Sequence, residues 1–534
     1  MRLSVQNVCK HGSNRIHREG EATLSSAYGV ALLEKGIKMT RITSLLALGV
    51  LLTISSPLFA QFAASDDMVD RGRELFVHQW EPNDKLSPNG DGLGPLYNAT
   101  SCVACHAQGG VGGSGPKDHN AQMLAIVPEP GKLNARTAKT FLNRLNTMHP
   151  EFVDSEGRYF TGILLHRYST TPEYAEAHQK VTTPLEETIE SRSRVRRMLN
   201  RRGISEISLL PLKLVINQRD MQYALAERNP PQLFGTHLID TLIDDGDIEA
   251  IAQQQLQSNK GVSGRFTGRF GWRGQLEDLD LFVKGACAAE VGLQVQEMNQ
   301  SKDPLKPDYQ LSGIDLTAEQ TDQLVAFVRS LPRPEQVLPE DPNERSYVNQ
   351  GAVLFDAIGC AECHVQDVGQ LSGVFSDFLL HDMGPEFEDP IPAKKIKVTR
   401  VTAGVTMPSY YGADPIRATE TYYTVEEQNH FKEYRTPPLW GVADSAPYLH
   451  DGRATTLRAA IEWHGGEALA SRANFAQLHE REQVALLKFL ESLQAPKTAE
   501  ETPDRIVGKQ VAEPGEKKIS SIPSGTIKAV AARK

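Results

Sequence analysis

The chain contains the segment Ser101-Cys102-Val103-Ala104-Cys105-His106, and a second segment, Gly359-Cys360-Ala361-Glu362-Cys363-His364, has the same pattern. The pattern C-x-x-C-H is typical of haem attachment, in which two thiols bond to the haem vinyl groups and the adjacent imidazole becomes the proximal iron ligand. A zinc site would need further Cys or His pairs at finger spacing, and a redox dithiol would need a βαβ setting. The sequence therefore predicts two covalently bound haem c groups. Their predicted binding residues are Cys102, Cys105, His106, Cys360, Cys363 and His364.

Composition limits the remaining alternatives. The 534 residues are enough for two or three domains, each with its own core. Four of the six cysteines belong to the two motifs, so the chain is not a disulfide scaffold. A formal net charge of −10 argues against nucleic-acid binding and permits docking to a basic electron-transfer protein.

The N-terminal part has the features of an export signal. The basic start Met39-Thr40-Arg41 is followed by the apolar run 45–54 and by Ala60, a small residue suited to cleavage. We predict a signal peptide at 39–60, and we interpret 1–38 as an extension upstream of the true start at Met39. Export fits covalent haem attachment and predicts a periplasmic or otherwise exported protein. No later segment is long and apolar enough to span a membrane.

An internal repeat predicts the fold. Gly72-Arg73-Glu74-Leu75-Phe76 precedes the first motif, and Gly351-Ala352-Val353-Leu354-Phe355 precedes the second. Each half then closes with an amphipathic helix, predicted at 319–331 and 482–493. An opening helix, C-x-x-C-H and a closing helix resemble the cytochrome c fold. We therefore expect a mainly α protein made of two tandem cytochrome c-like helical domains with long loops.

The expected domain limits follow from the same pattern. The N-terminal haem domain is predicted at 68–334 and the C-terminal one at 345–495, separated by a proline-rich linker that stops the helix before it. The residues 496–534 are rich in Lys, Glu, Pro and Ser, so we expect a disordered tail.

A second repeat carries a family resemblance. Arg228 to Gly235 is matched by Arg435 to Gly441, and Gly271 to Gly274 is matched by His450 to Arg453. With these segments the chain resembles the bacterial di-haem cytochrome c peroxidase superfamily, and more closely the di-haem oxidoreductase family often labelled thiol oxidoreductase. The residues that carry the resemblance span nearly the whole mature chain: Gly92 to Pro95, Gly268 to Trp272, Asp377 to Gly384, Arg435 to Gly441, His450 to Arg453 and Trp463 to Glu467.

A helix is predicted after His450, with Thr455 or Thr456 as its N-cap and Gly465-Gly466 at its end. Its buried face is formed by Leu457, Ala460, Ile461 and His464, at positions i, i+3, i+4 and i+7. A core histidine bonded to a backbone carbonyl would show the same pattern. The superfamily places the sixth ligand of the second haem here, usually Met, so the resemblance implies that His464 ligates this iron. A histidine in place of methionine would lower the haem potential.

The resemblance also implies a catalytic acid–base group in the first half, where a corresponding helix is expected from Leu276 onward. Glu290 stands where the superfamily has an acidic residue above the open face of the first haem, although Val291 replaces the usual Met. A carboxylate there would move a proton between the two peroxide oxygens. A solvated Glu at a helix end would have the same spacing.

Two further roles are implied. Trp272 aligns with the tryptophan that the superfamily places between the two haems, and a core-packing tryptophan is the alternative. Asn229, Thr436 and Pro438 lie near the interdomain Ca²⁺ of those peroxidases, which keeps calcium as a candidate cofactor.

The resemblance thus implies an oxidoreductase that reduces hydrogen peroxide at the first haem, with electrons arriving through the second haem from a small c-type cytochrome or cupredoxin. Two alternatives stay open: an electron-transfer cytochrome with both irons six-coordinate, and an oxidase of protein side chains. The sixth ligand of the first haem is not selected by spacing. Its candidates are His149, His166, His178 and His237.

Overall fold

Helices provide most of the regular structure. The computed structural model describes residues 64–127, 135–153, 162–184, 214–218, 221–258, 260–306, 308–311, 313–388, 399–400, 405–409, 412–418, 421–422 and 432–502. The predicted extension 1–38, the predicted signal 39–60 and the tail beyond 502 lie outside these residues. None of the helices within them is long and apolar enough to cross a bilayer.

The helices are numbered in chain order. They are α1 Asp66–Val77, α2 Cys102–Cys105, α3 Ala135–Met148, α4 at 174–184, α5 Thr236–Leu242, α6 Asp245–Ser258, α7 Leu279–Glu290, α8 Ala318–Ser330, α9 Pro342–Ala357, α10 Leu457–Trp463, α11 Leu469–Gln477 and α12 Glu480–Glu491. The predicted closing helices correspond to α8 and α12, each within two residues of its expected ends.

The strands are short and mostly paired in twos. They are β1 Leu96–Tyr97, β2 Ala121–Val127, β3 Gly162–Leu165, β4 Tyr168–Ser169, β5 Leu214–Gln218, β6 Met221–Arg228, β7 Glu335–Gln336, β8 Leu380–Asp382, β9 Thr399–Arg400, β10 Val405–Ser409, β11 Gly412–Ala418, β12 Thr421–Tyr422, β13 Glu433–Arg435 and β14 Leu493–Gln494.

In each half the opening helix crosses the closing helix at a glycine. A Cβ atom on Gly72 of α1 would lie 1.8 Å from the carbonyl oxygen of Gln323 in α8. A Cβ atom on Gly351 of α9 would lie 2.0 Å from the carbonyl oxygen of Ala485 in α12. The glycine of each G-x-x-L-F segment is therefore required by close approach of two backbones.

The phenylalanine of each segment lies between this helix crossing and the histidine of the haem motif. Phe76 lies 5.1 Å from Phe327 and 6.4 Å from His106 between ring centroids. In the second half Phe355 lies 5.3 Å from Phe489 and 6.2 Å from His364. The repeat seen in the sequence is thus a repeat in packing, and it places both histidines beside the same kind of aromatic core.

A four-stranded antiparallel sheet, which sequence analysis did not predict, is inserted in the first half. Its strand order is β3-β2-β6-β5. Buried side chains of α3, α4 and the sheet form one small apolar core, which includes Leu145, Val181 and Tyr223. This layer occupies the chain between the first motif and Asn229, so it flanks the first haem motif only.

The two halves exchange backbone hydrogen bonds. The amide of Asn229 donates to the carbonyl of His450 (2.7 Å), and the amide of Arg435 donates to the carbonyl of Trp272 (2.9 Å). Each half therefore supplies an R-x-P-P segment that bonds to the matching turn of the other half. The predicted division into two domains stays a prediction.

The first seven residues of the predicted disordered tail, 496–502, contact the first half. The amide of Val111 donates to the carbonyl of Glu500 (2.8 Å), and the hydroxyl of Thr502 donates to the carbonyl of Ala107 (2.7 Å). Arg73 also forms an ion pair with Glu500. These contacts with the first half hold residues 496–502, in spite of their polar composition.

Candidate functional site

Both motif histidines face a backbone carbonyl through Nδ1, and the carbonyl of Pro231 also lies near the ring of His106. The Nδ1 atom of His106 lies 3.1 Å from the carbonyl oxygen of Gly113, and that of His364 lies 3.1 Å from the carbonyl oxygen of Phe375. A carbonyl only accepts, so Nδ1 carries the proton and Nε2 keeps its lone pair. Burial lowers the pKa of both imidazoles to about 4, which favours the neutral form that binds iron.

The second motif opens into the larger of two cavities, about 280 Å³ and mostly apolar. We call it the second cavity; its lining includes Cys360, Cys363, His364 and His464. Nδ1 of His464 donates to the carbonyl of Ala460 (2.8 Å), which leaves Nε2 as the nitrogen available to a metal.

The spacing of the two imidazoles supports a shared metal. The ring centroids of His364 and His464 lie 6.4 Å apart. Two metal–nitrogen bonds of about 2 Å, one on each side of a single ion, give a centroid separation of about 6 Å. The carbonyl bond of His464 is the one expected of a core histidine, but its distance from His364 would also let both imidazoles hold one iron. The donor set of the second cavity therefore fits a covalently held haem with two histidine ligands.

The first motif opens into a smaller cavity of about 100 Å³, which we call the first cavity. Its wall includes Cys102, Cys105, His106, Trp272 and Glu290. Among the described residues of this wall, the histidines are His106 and His119. None of the four histidines considered as a sixth ligand from the sequence lines it. The first cavity fits a haem held by two thiols and one histidine.

Helix capping gives the register between the two halves. The carboxylate of Asp278 caps α7 by accepting from the amide of Leu281 (2.7 Å), and the hydroxyl of Thr456 caps α10 by accepting from the amide of Ala459 (3.1 Å). Counted from these N-caps, Ala286 stands at the position of His464, whereas counted from the C-caps Val291 does. Both residues line the first cavity, and neither offers a metal ligand.

Glu290 ends α7 and faces the first cavity. The Nδ2 atom of Asn98 donates to its Oε2 atom (2.7 Å). Burial raises the pKa of the Glu290 carboxyl, against the opposing effects of Asn98, His166 and Arg167. A carboxyl whose charged form is penalised by burial and stabilised by neighbours can both accept and return a proton.

Trp272 lies in the wall of both cavities. Its indole Nε1 donates to the carbonyl of Asn229 (2.9 Å), and its ring centroid lies 6.5 Å from that of His450. The hydrogen bond fixes the ring, and a role for Trp272 between two haems stays a prediction.

The residues considered for calcium do not fit that ion. The carbonyl oxygen of Thr436 accepts from the hydroxyl of Ser376 (2.7 Å) and lies 3.4 Å from Nη1 of Arg435. The amide Nδ2 of Asn229 donates to the carbonyl of Gly115 (2.9 Å). A calcium ion on Thr436 would meet a buried guanidinium, so like-charge repulsion opposes it.

A buried charged cluster beside the second motif was missed by sequence reasoning. His381 lies 2.9 Å from Oδ2 of Asp377 through Nε2 and 2.7 Å from Oε2 of Glu467 through Nδ1. The sulfur of Cys363, a carboxylate oxygen of Asp377 and a ring nitrogen of His381 lie within 4.8 Å of one another. Haem attachment would occupy this sulfur, so we assign no separate metal here. These residues lie in segments that carried the family resemblance, but their spacing gave no role.

Comparison with known proteins supports a haem enzyme. Residues 426–493 match the family described as "Di-haem oxidoreductase, putative peroxidase". The chain is also similar to cytochrome-c peroxidase IdrP1 of Pseudomonas sp. (strain SCT), at 28% identity over 27% of this chain and 39% of the relative. Cytochrome-c peroxidase IdrP2 of Denitromonas iodatirespirans is 29% identical over 25% of this chain and 36% of the relative. The alignments thus span less than half the length of these curated relatives.

Among solved structures, a hydrazine synthase of Kuenenia stuttgartiensis has a TM-score of 0.25 and 17% identity, covering 50% of this chain and 73% of that chain. At this TM-score the similarity says nothing about the fold of this chain. The sequence matches confirm the resemblance to the di-haem oxidoreductase family, and they indicate an oxidoreductase.

Proposed function

We propose that this chain, whose residues 426–493 carry the di-haem oxidoreductase domain, is an exported di-haem c-type peroxidase. It reduces hydrogen peroxide at the N-terminal haem, with electrons delivered through the C-terminal haem. Two cytochrome c-like domains, 68–334 and 345–495, hold one haem each. The first haem is bound by Cys102, Cys105 and His106, and the second by Cys360, Cys363 and His364 with His464 as sixth ligand.

The difference between the two cavities carries the proposal. The second cavity has His464 close to its motif histidine, whereas the positions of α7 that match His464 hold Ala286 or Val291, near Glu290. The second centre would therefore supply two histidine ligands to its iron, and the first would leave room for a small substrate beside a carboxylate. An electron carrier would need a second protein ligand at the first iron, and in the described wall of the first cavity the histidine other than His106 is His119, whose Nδ1 atom lies 3.4 Å from the carboxylate of Asp118.

The proposed chemistry assigns distinct tasks to the protein and to the cofactor. Haem, when bound, supplies the redox-active iron at each centre. Reduction of one hydrogen peroxide to two waters takes two electrons and two protons. Glu290 takes the proton from the oxygen of peroxide that is nearer the metal side and returns it to the leaving oxygen, which then departs as water.

The electron path uses the shared wall of the two cavities. Trp272 lies in both walls and is held by its bond to Asn229, so we assign it the place between the two centres. A small c-type cytochrome or cupredoxin is the proposed donor. The net charge of −10 favours a donor with a basic docking face. Calcium is left out of the proposal because the buried guanidinium of Arg435 opposes it.

The test is steady-state turnover of hydrogen peroxide with a reduced small cytochrome, comparing the native protein with Glu290→Gln. Loss of the acid–base group is expected to lower kcat/KM by roughly 10²- to 10⁴-fold. Glu277→Gln is the matched control, because Glu277 is an exposed carboxylate near the start of the same helix.

Both variants must carry two covalent haems by mass spectrometry, so that a loss of activity is not a loss of cofactor. Unchanged turnover in Glu290→Gln would remove Glu290 from the mechanism. Two low-spin haems in every redox state of the native protein would favour the alternative function, an electron-transfer cytochrome.

A further inference from the structure

A buried histidine–carboxylate pair lies behind Glu290, and the proposed mechanism does not use it. His166 follows strand β3 of the inserted sheet and is 1% exposed. Its Nδ1 atom lies 3.3 Å from Oε2 of Glu151, and its Nε2 atom lies 3.2 Å from the carbonyl oxygen of Ala289, the residue before Glu290. The inserted sheet therefore reaches the end of α7 through this one side chain.

The hydrogen-bond partners of His166 favour its charged form. Both ring nitrogens face acceptors, one a carbonyl and one a carboxyl, and an imidazolium donates to both. The hydroxyl of Tyr174 donates to the other oxygen of Glu151, which favours the carboxylate over the acid. The pair is thus built as imidazolium and carboxylate in a site closed to solvent.

The pKa shifts agree with this geometry. Burial lowers the pKa of His166, but the charge and hydrogen bond of Glu151 outweigh burial, so the net shift is upward. Burial raises the pKa of Glu151, but His166 outweighs it and the net shift is downward. The positive end of the pair is the end that lies next to α7.

The same segment also fixes the Glu290 side chain. The amide of Arg167 donates to Oδ1 of Asn98 (3.0 Å), and Nδ2 of Asn98 donates to Glu290 (2.7 Å). The backbone amide of Asn98 donates to the carbonyl of Glu290 (2.8 Å). His166 and Arg167 therefore hold both the backbone and the hydrogen-bond donor of the carboxylate.

We propose that the His166–Glu151 pair is a positioning device for Glu290, in which a buried imidazolium favours the ionised form of the Glu290 carboxyl, the form that can act as a base. His166 touches neither substrate nor cofactor, so it acts through Glu290. The proposal deepens the proposed peroxidase function and rests on it for its catalytic meaning. The charge relation itself is a property of the resting protein.

Charged and titratable groups from several elements surround this pair. Those that act on Glu290 are His166 and Arg167, which follow β3, with Asn98 as hydrogen-bond donor. Glu151 and Glu290 act on His166, and the charge of His166 is also felt by His149 and by His178 of α4. The thiol of Cys105 also senses the Glu290 charge, and haem attachment converts this thiol to an uncharged thioether.

The test is an infrared pH titration of the resting ferric holoprotein without peroxide. The carbonyl band of a protonated carboxylic acid that is absent in Glu290→Gln identifies Glu290, and its midpoint reports the Glu290 pKa. In His166→Gln the midpoint is expected to rise by roughly one pH unit or more, because a nearby positive charge is lost. The acid limb of the kcat/KM profile should move to higher pH by the same amount.

Glu151→Gln is the second variant, and it keeps the proposal testable if His166→Gln does not fold. Without its carboxylate an imidazolium would be buried unpaired, so His166 becomes neutral and the Glu290 midpoint again rises. His178→Gln is the matched control: burial lowers the pKa of this half-buried histidine of α4 to about 4, so it is neutral already and the midpoint should not move.

An unchanged or lowered Glu290 midpoint in the His166 and Glu151 variants overturns the proposal. Failure of the proposed peroxidase function would look different. Peroxide turnover would be absent at every pH, while the variants would still shift the Glu290 midpoint in the infrared titration.

Discussion

At the scale of single residues, Ala286 tests the proposed difference between the two centres. Counted from the helix N-caps it occupies the position of His464, so Ala286→His would place an imidazole in the wall of the first cavity. We expect the ferric first haem to change from high-spin to six-coordinate low-spin, and turnover of peroxide to be lost because the substrate position is filled. Electron paramagnetic resonance and absorption spectra of the ferric protein measure the first effect, and steady-state kinetics the second.

Ala286→Gln is the control for this prediction. Its side chain has a length similar to that of histidine but lacks an imidazole, so the first haem should stay high-spin. A high-spin, active Ala286→His protein would mean that the register between α7 and α10 does not extend to their metal-facing positions.

Single residues also show what the sequence could and could not predict. Helical spacing placed His464 on the buried face of its helix, whereas its role as a ligand and the role of Glu290 came from the resemblance to the peroxidase superfamily. Asn98 and Glu290 are 192 residues apart in the chain, and His166 and Ala289 are 123 apart. Only the folded chain brings such pairs together, so no local pattern could assign them.

At the scale of secondary-structure elements, the crossing of α1 with α8 depends on Gly72. In Gly72→Ala the new methyl group would overlap the carbonyl of Gln323, so the two helices must separate. Overpacking of this kind costs about 1–3 kcal/mol. Urea unfolding at constant haem content should show a free energy of unfolding lower by that amount. Gly351→Ala tests the same crossing in the second half.

Gly246→Ala in α6 is the comparison variant, because the nearest atom to its added Cβ would be a side-chain oxygen of Asp244 at 3.1 Å. A helix gains about 0.5–1 kcal/mol from such a change, so this variant should be as stable as the native protein or more stable. Equal losses in Gly72→Ala and Gly246→Ala would contradict the role given to the crossing.

The ends of a helix were predicted well where they depend on residues close by in the sequence. The N-cap Thr456 and the stop at Gly465 bracket α10 as expected, because capping depends on residues within one turn. The predicted start of α7 at Leu276 was early, since the structural cap is Asp278. The four-stranded sheet was not predicted, because the register that pairs β2 with β6 is set by tertiary packing of strands far apart in sequence.

At the scale of the whole molecule, the two halves are joined more closely than a tandem repeat implies. The repeat and its proline-rich linker were visible in the sequence, but the exchange of backbone bonds at Asn229 and Arg435 was not. The buried cluster of Asp377, His381 and Glu467 adds to this connection. The amide of Ser263 donates to Glu467 (2.9 Å), and Nε2 of Gln255 donates to Asp377 (2.8 Å). Segments of the first half thus close over a charged group of the second.

This cluster predicts how stability depends on pH. Burial raises the pKa of Glu467, but His381 and the Ser263 amide outweigh burial and the net shift is downward from 4.5. Its contribution is therefore present above about pH 4.5 and is lost as the pH falls through the lower folded value. Burial lowers the pKa of His381, but Asp377 and the other partners raise it to about 12, so its contribution is complete below pH 6.5 and declines above it.

Glu467→Gln should consequently lower the free energy of unfolding by about 2 kcal/mol near pH 6, the scale of a hydrogen bond to a charged group. The difference from the native protein should begin to shrink as the pH falls below 4.5 and should close below the folded pKa, where Glu467 is protonated in both states. Urea unfolding of the holoprotein in steps from pH 8 down to pH 3 measures it, with the exposed Glu249→Gln in α6 as a control that shows no difference at any pH. A loss that keeps the same size from pH 6 down to pH 3 would mean that Glu467 stabilises the junction by packing, and that its charge does not hold the two halves together.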